Sequence, residues 1–148
     1  MVSSRGQSKG CLATFVERKT RFYVAIKMND RTKDSMFLAI SSLCNTLTSK
    51  LLKTFTVDRG KEFTCFEQVE TEFGIPIYFA DAYAAWQRGS NENSNGLLRE
   101  FFPKKTDLAT VTLDKLTETL VLINNRPRKC LGFKTPFDMF KHAIRKLI

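Results

Sequence analysis

The chain has 148 residues, 43% of them hydrophobic, enough for a single core and too few for a second domain. Lysine and arginine number 24 against 15 acids, a net charge of +9 that favours an anionic partner, and residues 62 to 87, whose charged side chains are all acidic, separate a basic N-terminal flank from a basic C-terminal one. With no signal-peptide pattern, no apolar run near about eighteen residues, no Cys-x-x-Cys pair among Cys11, Cys44, Cys65 and Cys130, and His142 as the only histidine, the reading excludes a secretory leader, a membrane partner, a zinc finger and a small-molecule cofactor, and expects a cytoplasmic protein with free thiols.

In chain order, Met1 to Gly10 holds only two apolar residues and makes a poor central strand. Cys11 to Val16 and Arg21 to Lys27 are apolar or β-branched runs around the charged turn Glu17 to Thr20, a hairpin pattern. From Thr32 to Leu51 the residues Met36, Phe37, Ile40, Leu43, Cys44, Leu47 and Leu51 follow helical spacing. Thr54 to Val57 then reads as a strand ending at Asp58, Phe66 to Phe73 as a short amphipathic helix stopped by Gly74, and Pro76 to Phe79 as another strand. The remainder is helical. Ser90 or Asn91 can cap one helix, Thr112 a second running through Asn124, and Thr135-Pro136 a third reaching about Leu147. The last carries an apolar stripe of Phe137, Phe140, Ala143, Ile144 and Leu147, expected in the core, and Trp86 is expected to anchor the loop before the first of these helices. The order is that of an α/β fold.

Two carboxylates stand out. Asp58 lies in Thr56-Val57-Asp58-Arg59-Gly60-Lys61-Glu62-Phe63 at a strand end, and Glu92 lies in the polar run Trp86 to Arg99, where a loop becomes a helix. Taken singly, Asp58 is an ordinary turn residue and Glu92 an ordinary first-turn acid. Taken together, they are the kind of hard oxygen donors that hold Mg²⁺ or Mn²⁺, ions that bind through one or two carboxylates plus water and phosphate. Such ions serve in-line displacement at phosphorus.

The segment Thr56 to Phe63 resembles the T-x-D-N-G-K-E-F element of DDE transposases, and YFADAYAAWQRGSNENSNGLLREFFPK, Tyr78 to Lys104, is similar to the Y-F-A-D-P-Y-S-P-W-Q-R-G-T-N-E-N-x-N-G-L-L-R element of one group of them. Val16-Glu17-Arg18-Lys19-Thr20-Arg21, Asn125-Arg126-Pro127-Arg128-Lys129, Leu131-Gly132 and Thr135-Pro136 fit the same group, the insertion-sequence family thirty (IS-thirty) of bacterial transposases. The resemblance implies a ribonuclease H-like mixed sheet flanked by helices, an integrase catalytic core over residues 1–148, and metal-dependent DNA cleavage and strand transfer, with Asp58 and Glu92 as catalytic metal ligands. It also implies a partner, DNA at transposon ends and target, met by a homo-oligomer near the nucleoid, with Lys61, Arg88, Asn91, Arg99, Lys104, Arg126, Arg128 and Lys129 on the DNA. Arg99, two helical turns beyond Glu92, shares its face and is placed to hold a phosphate.

The departures are as specific as the match. The family's third acid, an Asp on the first strand, falls at or just before Met1, so that strand is expected to be missing or degenerate and the core N-terminally truncated. Asp30 and Asp34 sit in the wrong place to replace it. Arg59 stands where the family has Asn, a charge beside Asp58 that competes with a metal. Ala82, Ala84 and Ala85 replace Pro, Ser and Pro, loosening the loop before Glu92, and no helix-turn-helix region for recognising element ends is present. These changes predict weak or no activity for this chain by itself. The alternative is a non-catalytic, DNA-binding remnant.

Overall fold

The computed structural model describes residues 1–47, 51–80 and 89–147. Strands β1 (Val2–Ser3), β2 (Cys11–Val16) and β3 (Tyr23–Met28) form an antiparallel sheet in that order, and β4 (Phe55–Val57) pairs in parallel with β5 (Ile77–Phe79). Around them lie α1 (Lys33–Thr46), α2 (Phe66–Phe73), α3 (Gly89–Phe101), α4 (Leu113–Asn124) and α5 (Pro136–Leu147).

The β2–β3 ladder carries the fold. Successive side chains of a strand point to opposite faces, and here both faces are covered, which is why β2 reads as a continuous run rather than an alternating one. Cys11 and Ala13 join Met28, Met36, Ile40, Leu43, Phe55, Val57 and Val69 in one core, under α1 and α2. Leu12, Tyr23 and Ala25 join Leu98, Phe102, Leu108, Leu116 and Ile123 in the other, under α3 and α4.

The expected first strand is degenerate, not missing. β1 keeps two residues, paired to β2 through Val2 opposite Leu12 and Ser3 opposite Cys11, and among the described residues it does not pair with β4. Polar contacts hold the opening segment instead of a longer ladder. The buried Ser4 hydroxyl donates to the Gly10 carbonyl at 2.7 Å and accepts from the Leu108 N–H at 2.8 Å, while Ser8 Oγ donates to Asp107 Oδ1 at 2.5 Å.

The caps at Thr112 and Thr135 form as the sequence requires, their hydroxyls accepting from the N–H groups of Lys115 and Asp138, and Gly74 ends α2 with φ +64° in the left-handed region. Two expectations need correction. α1 stops at Thr46, not Leu51, because Leu47 is extended (φ −104°, ψ 134°) in a Thr/Ser-rich stretch of poor helix formers. Leu47 and Leu52 still reach the first core without being helical. The stripe on α5 is not core. Among its described residues only Pro136 is buried, Phe137 and Leu147 are each 44% exposed, and Phe140 packs by stacking flat on Phe22, centroids 4.2 Å apart. Among the described residues the stacked Phe22–Phe140 pair is the aromatic contact of this helix, and the rest of its stripe stays partly or fully exposed.

Candidate active site

Asp58 follows β4, whose Phe55 and Val57 are buried and pair with Ile77 and Phe79 of β5. Its half-buried carboxylate accepts from the Gly60 N–H at 2.9 Å, so the turn reading of Asp-x-Gly is correct as far as local geometry goes. Beneath that turn lies an acid that sequence reasoning missed. Glu62 is 1% exposed, 3.5 Å from Arg31 Nε, and its carboxylate would be only 2.7 Å from a Cβ at position 60. A side chain at position 60 would have to displace that carboxylate, and the signal available was an acid two residues beyond the glycine of a D-x-G turn.

Glu92 is exposed on α3, and its direction is fixed by what the opposite face of the helix does. Asn91, Ser94, Asn95 and Leu98 recur at helical spacing and face the sheet. Thr14 Oγ1 donates to Asn91 Oδ1 and Asn91 Nδ2 donates to the Thr14 carbonyl, both at 3.2 Å. The Tyr23 hydroxyl donates to Asn95 Oδ1 at 2.5 Å, while Ser94 and Leu98 are fully buried. Burial pushes the Tyr23 phenol well above its ordinary range, so this donor keeps its proton at any ordinary pH. Ser90 and Asn91 are therefore not caps: α3 starts at Gly89, and both side chains are used for tertiary contacts, Ser90 as an acceptor from Arg21.

That arginine belongs to the β2–β3 turn, whose motif is structural. Glu17 accepts from the Thr20 N–H and hydroxyl, both at 2.7 Å, and from the Lys19 N–H at 3.2 Å, while Arg21 takes a left-handed φ of +62°. Burial raises the Glu17 pKa, but the bonds from Thr20 and Lys19 outweigh it and the net shift is downward. A lowered carboxylate contributes stability above its ordinary value near 4.5, lost as pH falls through the lower folded value. Glu17→Gln is expected to cost about 1 kcal/mol at neutral pH, after discounting for solvent screening, and to flatten the acid limb of a urea-stability profile below the ordinary value near 4.5. An unchanged acid limb would contradict this.

Arg99 does not sit open to solvent. Nη2 donates to the Ser3 carbonyl at 2.7 Å and Nη1 to the Phe102 and Pro103 carbonyls at 3.3 Å, tying the end of α3 to β1. Burial and the nearby Arg5 lower its pKa. Lys61, Lys104 and Lys129 are exposed, and Arg126 pairs with Glu100 at 3.1 Å. Arg128 Nη1 is buried without a hydrogen-bond partner among the described residues. Arg88, Trp86, Ala82, Ala84 and Ala85 lie outside the described residues.

Met1, at or just before which the third acid was expected, packs against the first core. Among the described residues no group of three or more His, Cys, Asp or Glu side chains is placed to hold a metal ion. Carboxylates such as Asp58 and Glu92 are the donor type that suits Mg²⁺ or Mn²⁺.

The doubly covered β2–β3 ladder, the parallel β4–β5 pair and the flanking helices define a mixed α/β fold of the integrase-core type. The structure resembles the catalytic core domain of BIV integrase with a TM-score of 0.69, covering 93% of this chain and 95% of that one at 19% identity. No protein-family model matches the chain. It is 38% identical over 139 residues to transposase InsI for insertion sequence element IS30A of Escherichia coli (strain K12), and 32% identical over 137 residues to the transposase for IS1086 of Cupriavidus metallidurans. The relatives that match nearly the whole chain are thus transposases of IS30-type insertion sequences. The matches take in 94% and 93% of this chain but 36% and 40% of those relatives, so it spans little more than a third of their length.

Proposed function

We propose that the chain is the catalytic-core segment of a transposase that cleaves DNA at the ends of an insertion sequence and joins the freed 3′-hydroxyl to target DNA. Asp58 and Glu92 are the carboxylates that would hold Mg²⁺ or Mn²⁺, which when bound supplies Lewis acidity for in-line displacement at phosphorus. The observation that carries the reading is the construction of the two motifs. Asp58 is set in a turn built over a buried glutamate, and Glu92 stands outward on a helix whose inner face is pinned by Asn91 and Asn95.

DNA is the proposed partner, bound by a homo-oligomer through Lys61, Arg88, Lys104, Arg126, Arg128 and Lys129. The exposed Lys61, Lys104 and Lys129 support this best, since their ammonium groups are open to a phosphate. Asn91 and Arg99 complete that set, but both donate to backbone carbonyls in this fold, and phosphate contact from either would be added to that structural task.

A second reading, a DNA-binding core without chemistry, is favoured by the exposed Arg59 beside Asp58. One titration set separates the two. Mn²⁺ affinity of the purified chain, measured calorimetrically, is expected to be weak and to fall at least about tenfold in Asp58→Asn and in Glu92→Gln. Strand transfer is expected to be weak or absent. An affinity unmoved by either change removes the metal site, and DNA binding that survives EDTA and Glu92→Gln supports the second reading. Robust Mg²⁺-dependent strand transfer lost in Glu92→Gln would overturn the weak-activity expectation.

A further inference from the structure

Immediately after Asp58 the surface opens into a groove of about 250 Å³ lined by Arg59, Gly60, Phe63, Thr64, Phe66 and Phe79. Its walls are aromatic: the rings of Phe66 and Phe79 meet edge to face at 88°, with centroids 5.2 Å apart, and the buried Phe63 adds a third ring. Among the described residues no acid lines it, and Arg59 is exposed at its rim with Lys61 two residues on, also exposed. The groove is smaller than the roughly 300–1,000 Å³ of ordinary small-molecule clefts, so it has room for one flat ring system and not for a nucleotide cofactor. Aromatic walls with a cationic rim match a planar, π-faced group that carries a phosphate on its edge.

We propose that this groove is a stacking slot for one unpaired nucleobase of the DNA strand on which Asp58 acts, with Arg59 on the adjoining phosphate. The proposal rests on the DNA-processing reading above and adds to it a substrate feature: a base out of the duplex next to the reacting phosphate. The position is fixed by chain geometry, because Arg59 and Gly60 follow Asp58 directly and Phe79 pairs with Val57. Extruding a base is least costly where it is already unpaired, so the slot selects frayed or mispaired DNA ends over fully paired ones. Stacking a base on aromatic side chains gains enough per base to give about tenfold preference. It also gives Arg59 a task beside the metal-binding Asp: its charge faces a phosphate instead of an ion.

The test compares the affinity of the purified chain for two duplexes that differ only in whether the terminal base is paired, with 5-iodouracil at that base for photo-crosslinking. The expected result is about tenfold tighter binding of the unpaired end and a crosslink on Phe66 or Phe79. The preference should vanish in Thr64→Trp, in which an indole on an exposed wall fills the slot, while binding of the paired duplex stays intact. Equal affinity for both duplexes, with crosslinks elsewhere, overturns the slot and leaves the DNA-processing reading standing. Failure to bind either duplex at low salt overturns both.

Discussion

Asn124→Ala is expected to cost about 3–4 kcal/mol of folding stability, more than removing an ordinary surface amide. Asn124 is 5% exposed and grips Tyr23 twice, accepting from its N–H and donating to its carbonyl, both at 2.9 Å and both buried. Removing the amide strands two buried backbone groups at once, and each unsatisfied group costs about 1–3 kcal/mol. The contact also joins elements 101 residues apart in sequence, locking α4 to the start of β3, so no local rearrangement can replace it. A urea melt should show the midpoint falling with the slope unchanged. Asn124→Asp, which keeps one acceptor, should lose less. A loss under about 1 kcal/mol in Asn124→Ala would mean that the strand finds other partners.

The second large effect is expected at Gly10→Ala, at about 2–4 kcal/mol. A Cβ there would lie 2.7 Å from the Ala109 backbone nitrogen and 3.0 Å from its Cα. Main chain cannot swing aside as a side chain can. Displacing residues 107–109 pulls Leu108, 1% exposed, from the second core and separates Ser4 and Ser8 from Leu108 and Asp107. Thermal unfolding of Gly10→Ala beside Gly6→Ala checks this, since nothing lies within 4 Å of a Cβ at position 6 and that change reports only its left-handed backbone. If Gly10→Ala costs no more than Gly6→Ala, the close approach to Ala109 is not what holds the opening segment.

Much of the fold was legible because its signals are local. The hairpin shows in two apolar runs around a charged turn, the end of α2 in a lone glycine, and the starts of α4 and α5 in Thr112 and Thr135. The fold implied by the motifs around Asp58 and Glu92 matches an integrase core. What sequence did not reveal depends on partners distant in the chain. Ser90 and Asn91 look like caps until Arg21 and Thr14 are brought alongside, Glu62 looks solvent-facing until Gly60 closes over it, and Arg99 looks solvent-facing until the Ser3 carbonyl reaches it. The α5 stripe misled for the opposite reason: amphipathic spacing says which side is greasy, not whether anything covers it.

The inner side of α3 has a consequence for drift. Greasy contacts are forgiving in shape, so a Leu facing a Val can be exchanged in small steps with the helix settling anew each time. A donor matched to an acceptor, as Asn91 is to Thr14 and Asn95 to Tyr23, offers no halfway state. A change at Asn91 or Asn95 therefore loses a matched contact outright, and these two positions hold the acid at position 92 to one bearing relative to the sheet.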